Sequence, residues 1–61
     1  MTVNEMVFGE NNLIMPADVR WVRFNKTGVR YELHDIDPEC LDEQVTAIEP
    51  VEDKLLDIYV R

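Results

Sequence analysis

Hydrophobic and polar residues alternate most clearly in Val29-Arg30-Tyr31-Glu32-Leu33-His34, which puts Val29, Tyr31 and Leu33 on one side and Arg30, Glu32 and His34 on the other. The pattern predicts a half-buried strand. Val19-Arg20-Trp21-Val22-Arg23-Phe24 reads as its partner, joined to it by Asn25-Lys26-Thr27-Gly28. Asn at the first turn position and Gly at the last suit a type I turn closed by a left-handed glycine bulge, which sets Phe24 opposite Val29. Counting back places Val22 opposite Tyr31, Arg20 opposite Leu33, Trp21 opposite Glu32 and Arg23 opposite Arg30. The expected core face is therefore Val22, Phe24, Val29, Tyr31 and Leu33. The outer face takes Val19, Trp21, Arg23, Arg30, Glu32 and His34, and its Arg23–Arg30 pair is a mildly destabilising like-charge contact unless an anion lies nearby.

Beyond the hairpin, Asp37-Pro38-Glu39 offers an N-cap, a proline at the first helical position and an early acid. A short helix over 38–44 is expected, docked through Leu41 and Val45 and limited by Pro50. The β-branched run Val45-Thr46-Ala47-Ile48 and the segment Leu55–Val60 read as strands, with Glu52-Asp53-Lys54 turning between them. Near the start, Met6-Val7-Phe8 and Leu13-Ile14-Met15 flank Gly9-Glu10-Asn11-Asn12, a hairpin pattern ended by Pro16. The whole is an α+β reading for one small domain over 1–61: a mostly antiparallel sheet of three to five strands with one short helix near 38–44. An open sheet and a small barrel both satisfy the pattern.

Size narrows the function. A chain of 61 residues buries only about 60% of its unfolded surface, so its core is modest. The hydrophobic content of 46% still separates it from a disordered acidic tail, despite a net charge of −7. A core of this size cannot both hold the fold and wall off a desolvated pocket, which argues against an enzyme and against a cofactor. The single cysteine, Cys40, excludes an intramolecular disulfide and suggests a reducing compartment. With neither a basic leader nor a long apolar run at Met1-Thr2-Val3-Asn4-Glu5, a cytoplasmic protein without a membrane association is expected.

Charge is segregated along the chain. Arg20, Arg23, Lys26 and Arg30 fall together with no acid among them, whereas Glu32, Asp35, Asp37, Glu39, Asp42, Glu43, Glu49, Glu52, Asp53 and Asp57 follow with only Lys54. The simplest role for such a block is a solvated face that keeps a small protein soluble. A sharper one is a phosphate-like array that occupies a basic groove on a nucleic-acid-binding protein. Direct binding to nucleic acid is disfavoured, because a net charge of −7 is repelled by the phosphate backbone. In being short, acidic, folded and without catalytic residues, the chain is similar to small phage-encoded inhibitors of host proteins; the likeness rests on composition and on no motif.

The residues expected to meet a partner are Trp21, Arg23 and Arg30 on the hairpin and Asp42, Glu43, Glu49, Glu52 and Asp53 in the acidic block, with Trp21, Phe8 and Tyr59 as the candidate apolar anchors. Trp21 could stack on a ligand, but packing beneath the N-terminal segment is its simpler role. Asp35-Ile36-Asp37-Pro38-Glu39 resembles the opening of a calcium loop, yet Cys40 and Thr46 stand where glycine and glutamate are required. His34 and Cys40 are two short of a closed zinc site and have no catalytic partner, so no metal is expected. His34 reads as a solvent-facing strand residue and Cys40 as a small buried hydrophobe. Asn25-Lys26-Thr27 matches a glycosylation acceptor but is better read as the turn. The leading expectation is a non-enzymatic module that inhibits or modulates a protein partner. The alternative is a structural subunit of a homo-oligomer or larger particle, pairing through exposed strand edges.

Overall fold

The computed structural model describes residues 1–10 and 12–61. Strands β1 (Val19–Phe24), β2 (Arg30–Tyr31), β3 (Val45–Glu52) and β4 (Leu55–Val60) form one sheet in the order β2-β1-β4-β3. Two antiparallel pairs, β1–β2 and β3–β4, are joined by a parallel pair, β1–β4. The expected mostly antiparallel sheet is thus a mixed one. Its physical reason is burial: the two most apolar strands take the centre, and the long connection over residues 32–44 supplies the crossover that a parallel neighbour needs. The two outer strands do not pair with each other, so the sheet is open and not a barrel.

The first hairpin has the register its turn dictates, with Val22 opposite Tyr31 and Arg23 opposite Arg30. Gly28 adopts φ +74°, its N–H donates to the Phe24 carbonyl at 2.7 Å, and the Phe24 N–H donates to the Val29 carbonyl at 2.9 Å. The ladder then ends at Tyr31, because Leu33–Asp35 tightens into a 3₁₀ turn. The expected Arg20–Leu33 and Trp21–Glu32 pairs do not form, and His34 is exposed on this turn and not on a strand. Along β1 the register against β4 slips at Arg20, between the Val19–Leu56 and Trp21–Asp57 pairs. This extra residue turns Val19 inward beside Val22, correcting its outer placement. Val29 and Tyr31 remain 43% and 41% exposed, since β2 is a short edge strand lying beyond most of the core. Tyr31 still packs edge-on against Phe24, with ring centroids 5.7 Å apart and planes at 89°.

The helix expected over 38–44 is a 3₁₀ turn, Pro38–Asp42. Asp37 contributes no side-chain cap, and the bonds are of the short i to i+3 kind, from Cys40 N–H to the Asp37 carbonyl at 2.9 Å and from Glu43 N–H to the Cys40 carbonyl at 3.3 Å. Val45 leaves for the β3 ladder, opposite Val60, while Leu41 and Cys40 stay half-buried against the core.

The N-terminal hairpin is replaced by a π-helical turn, Asn4–Phe8. Its cause is a reciprocal capping box. The Thr2 N–H donates to Glu5 Oε1 at 3.1 Å, and the Glu5 N–H donates to Thr2 Oγ1 at 3.1 Å. The second apolar run then folds onto this turn, the Leu13 and Ile14 N–H groups donating to the Met6 carbonyl at 2.9 and 3.3 Å. The turn expected at Gly9–Asn12 includes Asn11, which lies outside the described residues. Val3, Met6 and Val7 join Ile36 over one face of the sheet and meet Val19, Val22, Ile58 and Val60 there. Each such side chain, taken fully out of water, contributes about 1.5–3 kcal/mol.

Candidate partner-binding surface

Strand alternation decides what the other face presents. With Val22, Ile58 and Val60 turned inward, Trp21 and Arg23 of β1 and Asp57 and Tyr59 of β4 point outward. The slip at Arg20 adds a further side chain to this face, whose guanidinium grips Asp57 in a fork: Nε to Oδ1 at 3.0 Å and Nη2 to Oδ2 at 2.8 Å. Asp57 is only 4% exposed. The Asp57 hydrogen bond raises the Arg20 pKa.

Trp21 carries the centre of the surface. The guanidinium carbon of Arg20 lies 3.8 Å from the indole centroid and that of Arg30 lies 4.3 Å from it. These two side chains leave the indole half-buried. The N-terminal segment packs on the opposite face, so the expectation that it would cover Trp21 is overturned. Arg23 stands opposite Arg30, and among the described residues neither has a carboxylate within ion-pair distance. The hairpin thus gathers Trp21, Arg23 and Arg30 on one face.

The acids are arranged differently. Asp42 and Glu43 precede β3, Glu49 lies within it, and Glu52 and Asp53 sit at its far end; all five are exposed. Strand order therefore places the basic hairpin at one edge of the sheet and this acidic series along the other. Glu49 is not a free charge, because it accepts the Tyr59 hydroxyl at 2.7 Å. That bond, with burial second, pushes the Tyr59 phenol up. Acids, Pro50 and two register slips along β3 also blunt a free edge against pairing with another chain.

Arg20 escaped sequence reasoning, although Asp57 carries a signal for it. An acid inside Leu55-Leu56-Asp57-Ile58-Tyr59-Val60 must be paired if it is buried. Elsewhere, His34 Nε2 lies 3.2 Å from Glu32 and 3.6 Å from Asp35, and the three groups are exposed. They make one donor fewer than a closed zinc site uses. No protein family matches the chain, and no curated protein or solved structure is similar enough to lend it a function.

Proposed function

We propose that this chain is a non-enzymatic binding module that masks a functional surface of a protein partner. The observation that carries the reading is Trp21, half-buried under the guanidiniums of Arg20 and Arg30 on the sheet face opposite the core cluster of Val3, Met6, Val7 and Val22. An aromatic anchor surrounded by charged groups has the anatomy of an interface hot spot. Arg20 is already fixed by Asp57 and Trp21 by the stack, so little side-chain freedom is lost when a partner docks. The acids along β3 would steer the approach toward a basic partner, a nucleic-acid-binding protein being the kind whose exposed cations fit best. Cytoplasmic partners of that class are the natural candidates.

Affinity capture from a cell lysate at low and high salt, followed by mass spectrometry, tests this with the native chain and a Trp21→Ala variant. A protein retained by the native chain and lost by a folded Trp21→Ala variant is the expected result. Self-association alone would favour the assembly role, and equal capture by both forms would remove Trp21 from the interface.

A further inference from the structure

On the side of the molecule opposite the Trp21 face, the N-terminal π turn and the Leu33–Asp35 turn flank an open groove of about 500 Å³ lined by Phe8, Pro16, Ala17, Leu33 and His34. The lining is apolar and accessible: Phe8 is 50% exposed, and Met15, next to Pro16, is 60% exposed. Large side chains left in water on so small a protein call for an explanation. The lining itself holds no acid, but acids adjoin it at the rim. Glu32 and Asp35 flank Leu33 and His34, and both carboxylates reach the His34 ring.

We infer that this groove docks a short segment of a partner protein in which an aliphatic or aromatic side chain stands beside Lys or Arg. The apolar side chain would enter between Phe8 and Leu33, and the cation would meet Glu32 and Asp35. Charge complementarity selects this occupant, since the Glu32 and Asp35 carboxylates stand beside the lining His34 and the chain carries −7. The same charge opposes a second copy, and five lining residues fall well short of the roughly 800 Å² per partner of a stable dimer. It equally opposes an anionic membrane surface. The inference stands apart from the Trp21 face, so either can fail alone.

The test is selection of a random short-peptide library displayed on phage against the immobilised native chain, with the selected peptides synthesised and titrated by fluorescence anisotropy. Expected peptides combine an apolar residue with a neighbouring Lys or Arg. They should bind Ala17→Arg, which fills the groove with a cation, about tenfold or more weakly, and should weaken with added salt. Phe8→Ala, exposed and outside the core, should weaken them too, and Trp21→Ala should leave them unaffected. Circular dichroism checks that each variant is folded. No enrichment, peptides without cations, or equal binding to folded Ala17→Arg and Phe8→Ala would overturn the inference. So would loss of binding in Trp21→Ala alone, which would assign the peptides to the sheet face. A change in the sedimentation of the chain by itself on introducing Ala17→Arg would also overturn it, because a second copy would then be the occupant.

Discussion

The two glycines are required for different reasons, and substitution at each separates a conformational constraint from a steric one. At Gly28 a Cβ would have room, its nearest neighbour being Arg23 Nη2 at 3.8 Å, but the backbone sits at φ +74°. A left-handed non-glycine residue costs about 1–3 kcal/mol, with β-branched side chains at the upper end and Asn the most tolerant. Gly28→Asn should therefore cost less than about 1 kcal/mol, Gly28→Ala about 1 and Gly28→Val about 2–3. For a domain of this size the last corresponds to a fall in Tm of roughly 10–20 °C. Gly9 has an ordinary φ of −70°. Its Cβ, however, would lie 2.6 Å from the Glu5 carbonyl oxygen. Gly9→Ala and Gly9→Asn should both destabilise by about 1–3 kcal/mol through overpacking, with no rescue by Asn. Denaturant unfolding of these variants beside Lys26→Ala provides the comparison. Equal midpoints for Gly28→Val and Lys26→Ala, or a rescue by Asn at Gly9, would refute the reasoning.

Further outcomes are expected elsewhere. Thr2→Ala should cost about 1 kcal/mol by opening the capping box. Hydrogen bonds from Thr2, backbone first, lower the Glu5 pKa. The linked stability is present above the ordinary carboxylate range and lost as pH falls through the depressed value, so thermal scans on the acid side should become only somewhat shallower in Thr2→Ala, which loses the hydroxyl and keeps the larger backbone contribution. The Tyr59 phenol shifts the other way, its contribution being present below the ordinary phenol range and lost as pH rises through the raised value; Glu49→Gln should move the ultraviolet phenolate transition to lower pH. Cys40→Ser should lower stability alone, leaving sedimentation and partner capture unchanged. Neutralising Asp42, Glu43, Glu49 and Asp53 together should slow association with a captured partner at low salt. The difference should vanish once screening over about 10 Å sets in near 0.1 M salt; coincident low-salt rates would make the acids a solvated face only.

The legible parts of this fold were the local ones. Asn25–Gly28 fixed its own turn and, through it, the register of β1 with β2, because a left-handed glycine closes only one pairing. Leu55–Val60 is readable as a strand from the apolar and β-branched residues on either side of Asp57. What pattern could not supply was long-range choice: whether β3 or β4 would lie against β1 depends on which strand buries more when central. The Arg20 slip was hidden for the same reason, since it exists only against Asp57 on a distant strand. That slip also explains why Val19 was assigned to the wrong face. The N-terminal turn was a missed local signal, as Thr2-Val3-Asn4-Glu5 has the spacing of a capping box. Trp21, Arg23 and Arg30 came together as the hairpin required, whereas the acids are spread along a whole strand.

Trp21 is the single tryptophan, so biosynthetic fluorotryptophan places one fluorine resonance at the centre of the proposed interface. Titrating the labelled chain with the captured partner while following that resonance tests the central claim most directly. A shifted or broadened signal that tracks complex formation, and is insensitive to water–deuterium exchange once saturated, is the predicted result. An unchanged resonance in a chain that has demonstrably bound its partner would contradict it.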